Sequence, residues 1–77
     1  MKLELFIEKF IEQFDDTSPE EINADTVYEE LEEWSSLIAL SVIAMVDEEY
    51  DVSIGAKEII ESGTVKGLFE TVKAKKG

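Results

Sequence analysis

A single stretch decides the fold, and it reads Glu33-Trp34-Ser35-Ser36-Leu37-Ile38-Ala39-Leu40-Ser41-Val42-Ile43-Ala44-Met45-Val46-Asp47-Glu48-Glu49-Tyr50. At helical spacing, one set of its apolar residues recurs every three or four positions, which is the pattern of a helix packed against a core. This set is expected to be buried and consists of Ala39, Val42, Ile43, Val46 and Tyr50. The stretch therefore predicts a central helix on which other segments pack.

A second apolar set falls on other faces of the same helix. It consists of Leu37, Leu40 and Ala44, with Ile38 and Met45 on its flanks. A helix in so small a domain cannot be buried all round, so part of this set is expected to be exposed. Because contiguous exposed apolar surface usually marks a partner site, the second set predicts a binding surface.

The serine pair Ser35-Ser36 stands where this helix should begin. It follows an acidic run, it precedes the first periodic residue, and serine is a preferred residue type at a helix N-cap. A serine there has its hydroxyl at the edge of the helix, within reach of another protein. Unpaired N–H groups and the positive end of the helix dipole also favour an anion at this end, such as a phosphodiester.

From this point the residues resemble a known family. The segment Trp34-Ser35-Ser36-Leu37 is followed, fourteen residues after Ser36, by the aromatic residue of Asp47-Glu48-Glu49-Tyr50-Asp51-Val52. This arrangement is similar to the signature of acyl carrier proteins, in which an Asp-Ser-Leu motif opens the second helix and an acidic run ending in Phe or Tyr closes it. The Trp-x-Ser-Leu form resembles carriers outside the principal fatty-acid protein.

The resemblance implies a cofactor and a function. By position, Ser36 would carry a covalent 4'-phosphopantetheine arm, moved from coenzyme A by a phosphopantetheinyl transferase, while Ser35 would be the structural cap. The arm's thiol would hold an acyl group as a thioester for fatty-acid, polyketide or related biosynthesis. The chain would not itself be an enzyme, and its other partners would be acyl-transferring or synthase enzymes with basic patches.

The front of the helix departs from the family pattern. The aspartate before the family's serine is Ser35 here, the acid often found after the leucine is Ile38, and another acid one turn later is Ser41. Docking would then depend on apolar residues and on acids outside this neutral front. The apolar residues are Leu37, Leu40, Ala44 and Met45, and the acids are Glu32, Glu33, Asp47, Glu48 and Asp51. Met45 fits a gap-filling position in the core equally well.

The missing acids support a second hypothesis, an unmodified acidic helical interaction module that keeps a carrier-like fold without the arm.

The acidic run Asp47-Glu48-Glu49 does not follow the ligand order of an EF-hand loop, so no metal site is predicted.

The composition excludes several function classes. The 77 residues, expected to form one domain over 1–77, include neither histidine nor cysteine, which removes histidine-based triads, cysteine nucleophiles and thiolate zinc sites. A net charge of -12 makes nucleic acid a poor partner and favours proteins with basic patches. The N-terminus lacks an apolar run of signal or membrane length, so a cytoplasmic monomer without membrane insertion is expected.

Three further helices are predicted around the central one. The first covers Lys2 to Phe14 and has three phenylalanines on its apolar face, the third is short and covers Ala56 to Ser62, and Thr64 caps the last. The long first loop contains a capping box at Ser18-Pro19-Glu20-Glu21. Its expected anchors are Ile22, Val27, Tyr28 and Leu31, and either Ile59 or Ile60 should point inward from the third helix. The expected fold class is all-α, a small four-helix bundle of acyl-carrier type with a long first loop and a short third helix.

Overall fold

The computed structural model describes residues 2–77, and four α-helices lie in this range. They are α1 (Leu3–Ile11), α2 (Ser36–Tyr50), α3 (Ala56–Ser62) and α4 (Val65–Lys76). Two single turns of 3-10 helix, Pro19–Glu21 and Tyr28–Glu30, lie in the long segment between α1 and α2. No helix of this range is both long and apolar enough to cross a membrane. The predicted all-α architecture of four helices with a short third one is confirmed.

A single apolar core joins the helices. Phe6 of α1 is fully buried, and its ring meets the ring of Phe69 of α4 edge-on with 5.5 Å between centroids. The other core residues are Phe10, Phe14, Ile22, Tyr28, Ile38, Val42, Met45, Val46, Val52, Ile54, Ile59, Val65, Leu68 and Val72. Since no polar or charged residue is buried within 2–77, burial of apolar area supplies the main stabilising term.

The helix α1 ends three residues earlier than its apolar pattern predicts. Its last residue is Ile11, and the chain continues in a tighter turn in which the N–H groups of Gln13 and Phe14 donate to the carbonyls of Phe10 and Ile11 at 3.1 and 3.0 Å. Phe14 is nevertheless buried. The tighter turn keeps Phe14 on the apolar face, which explains why the pattern extends past the end of the helix.

The helix α2 is rotated about its axis relative to the expected orientation. Ile38 and Met45, expected on exposed flanks, are only 8% and 6% exposed and lie in the core with Val42 and Val46. Ile43, expected in the core, is half-buried. Because α2 is apolar on more than one face, its own periodicity does not determine which side meets the core. That side is determined by the elements that pack against α2.

The predicted helix caps are confirmed. In the first loop, Ser18 Oγ accepts from the Glu20 N–H at 3.3 Å, and the Glu21 carboxylate accepts from the Ser18 N–H at 3.0 Å. At the start of α4, Thr64 Oγ1 accepts from the Gly67 N–H at 3.0 Å. Each cap satisfies backbone donors that a helix start leaves free, so these short-range signals locate the element boundaries.

The first loop is tied to the junction of α3 and α4. Tyr28 is fully buried, its hydroxyl donates to the carbonyl of Ile59, and burial raises the pKa of this hydroxyl to about 12. Val27, expected to be an apolar anchor, is 39% exposed and instead pairs its backbone with Thr64 in an isolated bridge. Of the two candidates in α3, Ile59 points inward and Ile60 outward.

A close backbone approach holds α3 against α4. A Cβ placed on Gly67 would lie 2.4 Å from the carbonyl oxygen of Ser62, so a glycine is required for the two helices to approach this closely. The residue that should weaken α4 as a helix therefore permits the packing that positions α3. That packing in turn positions one wall of the groove described below.

Candidate functional site

The two serines at the start of α2 have different surroundings. Ser35 is the N-cap, with extended backbone at φ -157 and ψ 172, and its Oγ accepts from the Ile38 N–H at 3.3 Å. Ser36 is the first residue of the helix, and its side chain is exposed. No hydrogen bond of the Ser36 side chain occurs among residues 2–77. The cap is thus made by Ser35, and the Ser36 hydroxyl is exposed to solvent.

The start of α2 is suited to an anion. Its first turn contains no acidic residue, although the chain as a whole carries a net charge of -12. The first N–H groups of an α-helix lack carbonyl partners within the helix, and the helix dipole is positive at this end. A phosphate group bonded to Ser36 Oγ would therefore be stabilised by the helix that carries it.

An open apolar groove of about 420 Å³ begins beside the serine pair and lies between α2 and α3. Its lining residues are Glu29, Trp34, Ser35, Ser36, Ala39, Leu40, Ile43, Ala56, Ile59 and Ile60. Leu40 and Ile60, on opposite walls, are 62% and 63% exposed. Binding sites for small ligands are usually lined by apolar side chains with a few polar groups, and this groove has that lining. The groove has room for an aliphatic chain attached near Ser36.

The outward side of α2 carries most of the predicted docking residues. Leu37 is 73% exposed, and an exposed row continues from it toward the end of the helix. The row consists of Leu37, Leu40, Ala44, Asp47, Glu48 and, directly after the helix, Asp51. Met45 is the exception and is a correction to the prediction. Met45 is buried in the core because of the rotation of α2, and this agrees with the alternative prediction that it fills a gap there.

The far end of α2 is closed by residues from other helices. Lys76 Nζ of α4 donates to the carbonyl of Tyr50 at 2.8 Å, which satisfies one of the last carbonyls of the helix. Lys9 of α1 forms an ion pair with Glu49 at 2.8 Å, and this hydrogen bond raises the pKa of Lys9. The chain then turns at Asp51, whose φ of 56 lies in the left-handed region.

Glu33 forms a hydrogen-bond network that sequence reasoning missed. Its carboxylate accepts from the N–H groups of Asp15, Asp16 and Thr17 at 2.6, 2.9 and 2.9 Å, and from the Thr17 hydroxyl at 2.7 Å. The partners lie 16 to 18 residues away in the sequence, so no local pattern identifies them. The nearest sequence signal is the chain of acids before Trp34, and it does not distinguish Glu33 from its neighbours.

This network changes both the electrostatics and the expected role of Glu33. Hydrogen bonds from the Asp15 N–H and then from the Thr17 hydroxyl hold the pKa of Glu33 below its ordinary value of 4.5. The carboxylate is therefore charged at neutral pH, and both of its oxygens accept hydrogen bonds within the chain. The hydrogen bonds direct its carboxylate toward residues 15 to 17, whereas the docking prediction directed this acid toward a partner.

The site thus brings together an exposed Ser36 hydroxyl, an acid-free helix start, an apolar groove and an exposed row ending in acids. No family model, no curated protein and no solved structure matches this chain. The similarity to acyl carrier proteins therefore depends on the residues around Ser36 and on the acidic-aromatic end of α2, and it stays a prediction.

Proposed function

We propose that this chain carries acyl groups as thioesters on a 4'-phosphopantetheine arm attached to Ser36 Oγ. The observation that supports this function most directly is the exposed, non-capping hydroxyl of Ser36 at the first residue of α2. The arm, when attached, supplies a terminal thiol that holds the acyl group. The proposed setting is the cytoplasm, with the chain acting as a monomer within a fold of acyl-carrier type.

Attachment of the arm requires an external enzyme. Ser36 Oγ would form a bond to the β-phosphorus of coenzyme A, the bond from that phosphorus to adenosine 3',5'-bisphosphate would break, and the serine proton would pass to a base. A serine hydroxyl is a weak nucleophile without an adjacent base. Since the first turn of α2 has no acidic residue and the chain has no histidine, the base belongs to the phosphopantetheinyl transferase.

The residues around Ser36 would assist the carrier in three ways. The helix start would stabilise the phosphodiester through its N–H groups and dipole. The groove would shield an apolar cargo from water. The apolar residues Leu37, Leu40 and Ala44 would contact partner enzymes briefly, while Asp47, Glu48 and Asp51 would attract basic partner surfaces over a longer range.

Intact-mass measurement tests the proposal. The chain is incubated with coenzyme A and a broad-specificity phosphopantetheinyl transferase, and the expected result is a mass increase of one phosphopantetheine group. The increase should vanish in Ser36→Ala and persist in Ser53→Ala, a control that removes an exposed hydroxyl from the loop before α3. It should also persist in Ser35→Ala, although loss of this cap lowers stability by about 1 kcal/mol. Modification that survives Ser36→Ala would refute the assignment.

A second function is favoured by the exposed apolar residues. Leu37, Leu40 and Ile60 are all more than half exposed, and a cluster of this kind could bind a protein partner without any arm. The chain would then be an unmodified acidic interaction module. The same experiment separates the two functions, because the interaction module shows no mass increase with any of several transferases.

A further inference from the structure

The segment before Ser36 is held mainly by the packing of the Trp34 ring against the core. Ser35 and Ser36 are exposed, and the preceding residues form no regular element after the turn that ends at Glu30. The Trp34 ring packs on the Tyr28 ring at 4.8 Å between centroids, and the Trp34 N–H donates to the Leu31 carbonyl at 3.0 Å. The Trp34 ring also lies 6.4 Å from the Phe10 ring of α1 and 6.2 Å from the Phe14 ring. These contacts hold the indole ring against the core, but none of them is a hydrogen bond to another element.

Glu33 supplies the polar link to another part of the fold. Its carboxylate accepts hydrogen bonds from three consecutive backbone N–H groups and one hydroxyl, all in the turn that follows α1. No other side-chain hydrogen bond among residues 2–77 joins this turn to the segment that leads into α2. A carboxylate that accepts several N–H groups forms charge-assisted bonds, which are stronger and more directional than bonds between neutral groups.

Apart from these hydrogen-bond donors, the surroundings of Glu33 are unfavourable for a carboxylate. The depression beside it is lined by Asp16, Glu21 and Glu32, together with Thr17 and Leu31. These acids repel a further negative charge, and no lysine lines the same depression. The backbone N–H groups after α1 thus offset the repulsion that the neighbouring carboxylates exert on the Glu33 carboxylate. A carboxylate held by several N–H groups despite nearby acids is expected where the chain must keep one backbone geometry.

We propose that Glu33 is a positioning residue for the Ser36 site. By binding the turn after α1, it fixes the segment three residues before Ser36 and presents the Ser36 hydroxyl in one orientation. The activity part of this inference rests on the proposed carrier function, whereas the structural part does not. Without the link, only the packing of Trp34 would hold this segment, so its backbone would be less ordered and a transferase would have to order it on binding.

Hydrogen exchange tests the structural part. In Glu33→Gln the amide keeps the size of the side chain but loses the charge, and the amides of residues 15, 16 and 17 should exchange faster by about fivefold. The matched control is Glu32→Gln, which removes the same charge from the adjacent exposed position and should leave these rates unchanged. Equal effects of the two substitutions, or no effect of Glu33→Gln, would overturn the proposal.

A milder variant is available if Glu33→Gln unfolds the domain. Thr17→Val removes only the hydroxyl donor and keeps the three N–H donors, so the exchange rates of the same amides should rise by a smaller factor. If these rates do not change in Thr17→Val, the network does not control the order of this turn.

Transferase kinetics test the positioning part. Disorder before Ser36 should raise the KM for the carrier by about fivefold while kcat stays the same, because only the ordering step has become less favourable. Glu30→Gln, at an exposed residue of the same loop that is not among the docking acids, should leave both constants unchanged at moderate ionic strength. A lowered kcat with an unchanged KM would contradict positioning. If the wild-type chain accepts no arm, the carrier function fails, and hydrogen exchange still decides whether Glu33 orders the segment.

Discussion

Replacement of Gly67 by alanine should destabilise the protein, although the same change usually stabilises a helix. Gly67 is the third residue of α4, and on helix propensity alone Gly67→Ala should raise the free energy of unfolding by at most about 1 kcal/mol. The structure predicts the opposite sign. An added Cβ would lie 2.4 Å from the carbonyl oxygen of Ser62 and 3.1 Å from Thr64 Oγ1.

The size of the effect follows from what can move. The closest atom is a backbone oxygen at the end of α3, and it already accepts from the Thr64 N–H at 2.8 Å, so rotating it away breaks another bond. Overpacking of this kind costs about 3 kcal/mol at the upper end of the usual range. Subtraction of the propensity gain leaves a net loss of about 2 kcal/mol. For a domain of this size, that loss lowers Tm by about 10 °C.

Urea unfolding followed by circular dichroism measures this loss, and Ala74→Gly provides the calibration. Ala74 is an exposed residue of α4, so Ala74→Gly reports the propensity term in the same helix without the clash. Trp34 lines the groove whose far wall is α3, so its fluorescence should also change if α3 is displaced in Gly67→Ala. A higher unfolding midpoint for Gly67→Ala would refute the reasoning, since it would mean that α3 and α4 separate at negligible cost.

Three other perturbations have defined outcomes. Asp51→Gly should raise the free energy of unfolding by about 1 kcal/mol in urea titrations, because glycine adopts the left-handed φ of 56 without strain. Tyr50→Phe should raise it by a similar amount, about 1 kcal/mol, since the buried Tyr50 hydroxyl has no partner among residues 2–77; a lower unfolding midpoint would contradict this expectation. The pKa of Glu33 is lowered from 4.5, so its stabilising contribution is complete above pH 4.5 and is lost as pH falls through the lowered value. The stability difference between wild type and Glu33→Gln should therefore shrink in acid, and a difference that grows would contradict the network.

The features that the sequence predicts correctly are those encoded by near neighbours. Ser18, Ser35 and Thr64 each cap a helical turn through a bond to a backbone N–H two or three residues ahead, so residue type and spacing suffice to locate them. The non-capping position of Ser36 follows from the same reasoning, because only one residue of a serine pair can be the cap. Helix number and order also depend on local periodicity, and they agree with the structure.

The features that the sequence does not predict depend on which elements meet. The apolar pattern of α2 permits several rotations, and only the packed fold shows that Met45 is buried while Leu40 is exposed. The Glu33 network joins residues that are 16 to 18 positions apart. The groove lies between α2 and α3, and the position of α3 depends on its close approach to α4 at Gly67. None of these properties belongs to a single element.

The acids at the end of α2 are placed against the preference of the helix itself. Negative charges are unfavourable near a helix C-terminus, where the dipole is negative, and Asp47 and Glu48 form no ion pair among residues 2–77. Glu49, by contrast, pairs with Lys9. Under the proposed carrier function, Asp47 and Glu48 would attract basic partners. The acid-free start of α2 would then hold the phosphodiester, and the acidic end of α2 would guide the enzyme that acts on it.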